Sequence, residues 1–284
     1  MFDSVLWFDA ALIGMSLVVG VLGAMLGIGG GVMLVPGLTL LFRVDLRYAI
    51  GASIVSVIAT SSGAAAAYVR DHLTNLRLAT FLNVATVGGA LTGAFLMTLL
   101  TTRWLYLVFA LMLLLSSVFM VRMPDASLVA AGKGDPWAQR LRLGGSFPDR
   151  VLARDVVYSP VRVWFGFLLM WLAGVLSALL GIGSGPLKVL AMDSAMRLPI
   201  RVSSASSNFM IGVTAAASAG AYFVKGDIVP ELAAPVAIGV LGGALVGTHL
   251  MVRMPSQRIR YFFILVLLAL GVQMALRAFE VRVR

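Results

Sequence analysis

The sequence predicts an all-α polytopic membrane protein built from two homologous halves, and three observations predict it. Of the 284 residues, 60% are hydrophobic and 12% are charged, with a mean hydropathy of +0.99, whereas about 25% of residues are charged in soluble domains. Several apolar runs approach the ~20 residues that a helix needs to cross a bilayer. The third observation is an internal repeat, because the second half of the chain resembles the first.

The first half divides into five apolar segments, at about residues 5–26, 32–42, 48–69, 76–100 and 104–121. The second segment has only about 11 residues, or ~16 Å of helix, which is too short to cross a ~30 Å hydrocarbon core. It therefore predicts a re-entrant or half-crossing piece. Asp3 and Asp9 stand where a signal peptide would carry basic residues, which favours a retained first helix.

Two glycine-rich motifs interrupt the apolar runs. The first is Gly27-Ile28-Gly29-Gly30-Gly31, followed by Pro36, and the second is Gly181-Ile182-Gly183-Ser184-Gly185-Pro186. Glycine in mid-helix costs about 1 kcal/mol relative to alanine, so several together predict a broken helix. Broken backbone at membrane depth must be buried in protein or line a watery cavity, and secondary transporters place substrate sites at such breaks. We expect the two breaks to face each other at a permeation site.

A shift of 154 positions aligns the two halves without a gap from Gly20 to Met97. It places Leu26-Gly27-Ile28-Gly29 on Leu180-Gly181-Ile182-Gly183, and Gly88-Gly89-Ala90-Leu91 on Gly242-Gly243-Ala244-Leu245. Roughly a third of the aligned positions are identical, which is a strong repeat signal. Two copies of a membrane half are the plan of many secondary transporters.

A polar, basic stretch separates the repeats. It divides the chain into an N-terminal membrane repeat (1–122), a central loop (123–162) and a C-terminal membrane repeat (163–284). We expect a solvated loop with a short interfacial helix near residues 137–143, and a regulatory or partner-binding role stays open. An acidic N-terminus outside and a basic loop in the cytoplasm favour an odd number of crossings per half and therefore inverted repeats. Short segments that turn back would instead give parallel repeats and about eight crossings.

The duplicated glycine motifs around a polar centre resemble the TauE/SafE family of sulfite exporters, over about residues 11–274. The resemblance implies a multi-pass protein of the bacterial inner membrane. It also implies transport of sulfite, sulfonates such as sulfoacetate, or other sulfur-containing anions. The second motif departs from the first at three positions that bear on substrate choice. These are Ser184, Pro186 and Lys188, in place of Gly30, Val32 and Leu34.

The predicted site offers hydrogen-bond donors to a small oxyanion. Amide groups at the end of a half-helix attract negative charge, and glycine allows close approach of the backbone. Hydroxyl and amide side chains from the third segment of each half would complete the shell. The candidate substrate-binding residues are Gly29, Gly30, Gly31, Ser53, Ser56, Gly183, Ser184, Gly185, Lys188, Ser206, Ser207 and Asn208. Tight helix packing and a hinge, without ligand contact, are the alternative for these positions.

Lys188 lies just after the second break in an apolar context. A charge inside the membrane is costly and is by default a functional candidate. Three roles are open: contact with the anion, extension to an interface, or a pair with Asp193. Four arginines recur at equivalent positions of the two halves and favour loop anchors or contacts with membrane lipid phosphates: Arg43, Arg47, Arg197 and Arg201.

Other classes of protein fit the sequence less well. The absence of Cys excludes disulfides and Cys nucleophiles. His72 and His249 are isolated, so we predict neither a metal, a cofactor nor an enzyme, although a proton relay at His249 stays open. The glycine run lacks the Gly-Lys-Ser/Thr ending of a nucleotide loop. Basic residues lie in loops and at helix ends rather than in a stripe, so we expect no nucleic acid partner.

The leading hypothesis is therefore a secondary transporter of a small sulfur-containing anion that works by alternating access. A permease for a carboxylate or another organic anion is the alternative within that class. A channel, or an intramembrane enzyme or assembly factor, would be a different class. Coupling to protons or sodium, the direction of transport and the oligomeric state are left open by the sequence.

Overall fold

A computed structural model describes residues 2–26, 30–70, 73–122, 135–149, 154–251 and 256–280. The first half forms α1 (Phe2–Leu26), α2 (Gly31–Leu41), α3 (Leu46–Arg70), α4 (Leu76–Leu99) and α5 (Thr102–Arg122). The centre forms α6 (Pro136–Arg140), β1 (Gly145–Asp149) and β2 (Arg154–Tyr158). The second half forms α7 (Val163–Leu180), α8 (Gly185–Leu190) with a π-helical turn (Ala191–Ala195), α9 (Ile200–Val224), α10 (Pro230–Met251) and α11 (Ser256–Glu280). This architecture confirms an all-α polytopic membrane protein.

Four helices are long and apolar enough to cross a bilayer: α3, α4, α7 and the Pro230–Gly247 part of α10. Shorter apolar stretches lie in α1, α2, α5 and α11. The outer faces of these helices expose large apolar side chains, such as Leu91 and Phe95 of α4 or Leu245 of α10. A surface of this kind suits a lipid environment, which the hydropathy of the sequence predicted.

The two halves contain the same elements at equivalent positions. Helices α3 and α9 each have 25 residues, and the 11 residues of α2 correspond to α8 plus the π-helical turn. The turn before each third helix has the same backbone, because Arg43 and Arg197 both take left-handed φ values of 54° and 53°. The repeat seen in the sequence is therefore also a repeat of structure.

Helices of different halves pack closely through glycine. On the α1–α10 contact, Gly20 lies directly against the backbone of Val240 and Gly243 against α1. The equivalent glycines, Gly174 and Gly89, make the same contacts between α7 and α4. Small residues let backbones approach in lipid, where no hydrophobic force drives helices together. The two halves therefore pack around each other instead of lying side by side as separate bundles.

Helices α3 and α9 cross at the centre and run antiparallel. Gly51, near the start of α3, lies against the Asp227 carbonyl just beyond the end of α9. Further along α3, Ser61 lies against Gly212 in the middle of α9. Equivalent helices of the two repeats thus run in opposite directions where they meet.

Helix α8 turns back beside α7. The Ser184 hydroxyl donates to the Ala173 carbonyl at 2.6 Å, well before the end of α7. Beyond the π-helical turn, the Met196 carbonyl accepts from the Val161 N–H at 3.1 Å, next to the start of α7. The short segment therefore returns to the side of the molecule where α7 begins. The sequence predicted a re-entrant or half-crossing piece for the equivalent segment of the first half, residues 32–42.

The centre of the chain is folded against the bundle in the part that the structure describes. Strands β1 and β2 pair antiparallel, with Gly145 opposite Tyr158. Leu143, Phe147 and Tyr158 are buried among the first turns of α4, α7 and α9. The Asn75 amide, at the start of α4, donates to the Leu143 carbonyl at 2.9 Å and to the Tyr158 hydroxyl at 3.0 Å.

Residues 135–149 and 154–162 are therefore not wholly a solvated loop: they form a helix and a hairpin that bury a few side chains, while most of their other described residues are exposed. The predicted short helix is present as α6, but the hairpin was not expected. Its few apolar side chains are widely spaced among basic residues, and they bury one face of a short ribbon. Burial raises the pKa of the Tyr158 hydroxyl, while its hydrogen bond with Asn75 acts in the opposite direction.

The glycine contacts give a paired test of the interface between the repeats. At Gly89 and Gly243 an added Cβ would overlap with backbone oxygens of Trp171 and Leu17. We expect Gly89→Ala and Gly243→Ala to destabilise the protein by about 1–3 kcal/mol through overpacking, measured as a lower melting temperature in detergent. Their neighbours are matched controls, because a Cβ at Gly88 meets only a Trp171 ring carbon at 3.9 Å and one at Gly242 meets nothing within 4 Å. Equal losses for Gly88→Ala and Gly89→Ala would contradict this packing.

Candidate functional site

The structure brings the two glycine breaks into contact. A Cβ on Gly31, the first residue of α2, would lie 3.0 Å from the Ile182 Cα in the second break and 2.9 Å from the Ser53 hydroxyl. Gly30 and Gly31 are buried, and Gly29 lies outside the described residues. The two interruptions of the membrane helices thus meet at one place.

The second break is a left-handed turn. Gly181, Gly183 and Ser184 have φ values of 64°, 71° and 44°. Such values are unstrained for glycine but cost a residue with a Cβ about 1 kcal/mol or more. The bond from the Ser184 hydroxyl to the Ala173 carbonyl offsets that cost and fixes the direction in which α8 leaves the turn.

Third-helix hydroxyls hold the second break from two sides. The buried Ser53 hydroxyl of α3 donates to the Gly181 carbonyl at 2.6 Å. Its counterpart in the repeat, Ser207 of α9, donates to the Gly185 carbonyl at 3.3 Å. The bond from Ser53 satisfies the Gly181 carbonyl, which the end of α7 leaves without an intrahelical partner, and the bond from Ser207 joins α9 to the first residue of α8. The two serines therefore position the break in the described conformation.

Lys188 is a fully buried cation one turn beyond the break. Its ammonium donates to the Thr214 hydroxyl of α9 at 2.9 Å, and no carboxylate among the described residues acts on its charge. The side chain therefore does not reach an interface, and it forms no described pair with Asp193. The equivalent residue of the first half, Leu34, is also fully buried, so the site carries its cation on one side only.

Three candidate residues make their described hydrogen bonds to groups outside the two breaks. The Ser56 hydroxyl donates to the Ala52 carbonyl, and the Asn208 amide donates to the Ser204 carbonyl, each at 3.0 Å within its own helix. The Ser206 hydroxyl accepts from the Asn75 N–H at 3.3 Å, near the central hairpin. Their predicted contact with substrate stays a prediction.

The sequence analysis did not single out the residues that surround the breaks. Thr214 contacts Lys188, and the side chains of Val57 and Ile211 lie against Gly31 and Gly183. The alignment of the repeats pairs Thr214 with Thr60, which is a signal that could have found it. Apolar residues such as Val57 carry no comparable signal in a chain that is mostly apolar.

Within the described ranges, no group of three or more His, Cys, Asp or Glu side chains could hold a metal ion. His72 and the side chain of His249 lie outside what the structure describes.

A duplicated bundle with broken helices inside it is the plan of many membrane transport proteins. A sequence model of the sulfite exporter TauE/SafE family matches residues 12–274. The chain belongs to the sulfite exporter TauE/SafE family.

Two curated proteins of Bacillus subtilis (strain 168) are similar to this chain. Probable membrane transporter protein YunE is 25% identical over 271 residues, which cover 93% of this chain and 96% of YunE. Probable membrane transporter protein YdhB is 24% identical over 237 residues, which cover 84% of this chain and 88% of YdhB. No solved structure matches the chain.

The two serines of α3 give a matched test of how the break is held. We expect Ser53→Ala to destabilise the protein by about 1–3 kcal/mol, because it leaves the buried Gly181 carbonyl without its donor. Ser56→Ala should have a smaller effect, because the Ala52 carbonyl that Ser56 contacts lies within a helix. Melting temperatures in detergent measure both, and a larger loss for Ser56→Ala would show that Ser53 does not support the break.

Proposed function

We propose that the protein is a secondary transporter that carries small sulfur-containing anions, such as sulfite or sulfoacetate, across the bacterial inner membrane by alternating access. One observation carries the proposal: Lys188 is a fully buried amine one turn beyond the second break, and its side chain donates to Thr214 of α9, the helix whose Ile211 lies against Gly183 in that break. Membership of the sulfite exporter family and similarity to two proteins named as probable membrane transporters support a transport function.

The chemistry of Lys188 suits a small oxyanion. An ammonium has three N–H donors, and Thr214 accepts one of them. Burying a charge without a partner is costly, so a bound anion would offset a cost that the empty site carries. The pyramidal oxygens of sulfite or a sulfonate could accept from the ammonium and from nearby amides of Gly183, Ser184 and Gly185 at the same time.

The first-half glycines would join the site only after a movement. In the described conformation Gly31 lies against Ile182 and Val57, and Gly183 lies against Ile211. A ligand that reaches the amides of Gly30 or Gly31 must therefore separate the two breaks. Glycines with left-handed φ, such as Gly181 and Gly183, provide the hinge for such a movement.

We infer that the two repeats are inverted. The antiparallel contact of α3 with α9 supports this, because equivalent helices of parallel repeats would run in the same direction. The short segment α8 with its π-helical turn runs back along α7 to the side where α7 begins, so it counts as a pass of its own and α7 to α11 make five passes. Inverted repeats allow the two halves to exchange conformations, which exposes one central site to each side in turn. The family and the relatives are named for transport, which is compatible with a protein that catalyses no reaction.

Uptake by proteoliposomes tests the substrate class. We expect labelled sulfite and sulfoacetate to accumulate, with taurine and a carboxylate such as acetate as comparisons, each with and without a pH gradient. We expect a preference for sulfur oxyanions because each presents three oxygens that can accept hydrogen bonds from donors converging on one site. Empty liposomes provide the background, and faster uptake of the carboxylate than of every sulfur-containing anion would reject the proposed substrate class.

Lys188→Met tests the cation. We expect at least a tenfold weaker apparent affinity for the anion, because a hydrogen bond to a charged group contributes about 1.5–3 kcal/mol. Stability should be unchanged or higher, because the variant removes a buried charge.

Leu34→Met is the matched control at the equivalent position of the other repeat, and it should keep normal affinity because the volume is nearly conserved. Normal affinity in a folded Lys188→Met protein would assign the lysine a purely structural role.

A further inference from the structure

The turn between α9 and α10 holds a buried carboxyl group that the proposed transport mechanism has not used. Asp227 is 8% exposed, and its Oδ2 has no hydrogen-bond partner within the described residues. The backbone fixes its position, because its N–H donates to the Tyr222 carbonyl at 3.0 Å and its carbonyl lies against Gly51 of α3. Asp227 is thus held between the end of α9 and the start of α3.

The charged and titratable groups around Asp227 come from three elements. They are Asp45 and Arg47 at the start of α3, Tyr222 and Lys225 at the end of α9, and Glu231 in the first turn of α10. Lys225 directs its ammonium to the Ala94 carbonyl of α4 at 3.2 Å. Within the described residues, therefore, no cation forms an ion pair with the buried carboxyl.

Burial raises the pKa of the Asp227 carboxyl, while Arg47 and Lys225 act in the opposite direction. The closed packing around Asp227 therefore favours the neutral acid. When water reaches the carboxyl, its ionised form becomes more favourable.

The contacts of this turn lead directly to the second break. The Tyr222 hydroxyl donates to the Ala178 carbonyl, in the last turn of α7 before Gly181. Gly51, which touches Asp227, lies two residues before Ser53, which holds the Gly181 carbonyl. A movement of the start of α3 away from the α9–α10 turn would therefore remove the contact that covers Asp227 and also the hydrogen bond that holds the break.

The aligned position of the other repeat lacks the carboxyl group. The alignment of the repeats pairs Asp227 with Leu73 and Gly51 with Ala205. That equivalent end carries the central hairpin, packed on the first turns of α4, α7 and α9. Asp227 follows the last turn of α9 and therefore lies on the other side of the molecule from the hairpin.

We propose that Asp227 is a proton-binding site that couples protonation to the closure of the end formed by the start of α3 and the α9–α10 turn. The carboxylate takes up one proton as this end closes and releases it to water as this end opens. The proposal rests on the proposed transport function and names its coupling ion. An acidic medium should favour the closed arrangement, and an alkaline medium the open one.

Single cysteines test the opening without any substrate, because the natural chain has none. Ala49 is fully buried in the first turn of α3, and the adjacent Tyr48 is 43% exposed. The labelling rate of Ala49→Cys by a maleimide, divided by that of Tyr48→Cys, corrects for ionisation of the thiol itself. We expect this ratio to rise severalfold as the pH of the medium increases, because a raised pKa keeps the carboxyl protonated in an acidic medium and lets it ionise in an alkaline one.

Substitutions of Asp227 test whether its carboxyl group causes the pH dependence of the labelling ratio. Asp227→Asn should keep the ratio low at every pH, and Asp227→Glu should keep the pH dependence. Glu231→Gln removes an exposed acid of the same turn and should behave like the unmodified chain. A ratio that does not change with pH, or that still changes in Asp227→Asn, would overturn the proposal.

Thermal unfolding gives a second readout if a cysteine variant misfolds. A folded-state pKa above the unfolded value makes the unmodified protein lose stability as pH rises through the raised value. Asp227→Asn lacks this loss, so its melting temperature should exceed that of the unmodified protein near pH 8 and match it near about pH 4. The same dependence of melting temperature on pH in both proteins would show that Asp227 does not have a raised pKa in the folded state. Because neither readout needs substrate, failure to transport sulfur anions would reject the proposed substrate and leave this result standing.

Discussion

Broken backbone inside a membrane must find its partners within the protein, because lipid offers neither donors nor acceptors. The second glycine break meets this constraint with side chains from two other helices, Ser53 of α3 and Ser207 of α9, and with its own Ser184. The contact between Gly31 and Ile182 adds the first break to the same cluster. The close packing of α3 with α9, and of each first helix with the fourth helix of the other half, brings these groups together.

The ionisable groups to which we assign roles lie at positions where the two repeats differ. One lysine replaces a leucine beside the breaks, and one aspartate replaces a leucine at an end of the third helices. Both charged groups are buried, and both stand on elements that the other repeat provides in apolar form. A duplicated scaffold can carry such costly groups because the unchanged copy continues to supply the packing.

The sequence predicted the elements better than their surroundings. The bounds of α3, α4 and α5 lie within two residues of the expected segments, because hydropathy and charged turns mark helix ends in lipid. The glycine motifs predicted the breaks, and the shortness of the segment at 32–42 predicted a piece that does not cross the membrane as a straight helix. The central hairpin was missed, because a few apolar residues such as Phe147 and Tyr158 are a weak strand signal among basic residues. Thr214 and Asp227 were missed because their importance comes from contacts with distant parts of the chain.

The central hairpin has a consequence for the energy of the transport cycle. It contacts Asn75 of the first half and the first turns of α7 and α9 of the second, so it bridges both moving bodies at one end only. A conformational change that parts the bodies at that end must break this bridge, whereas parting them at the other end leaves it intact. In the alternating-access cycle proposed above, the two end states would then differ in free energy, and the unloaded molecule would favour the state in which the bridged end is closed.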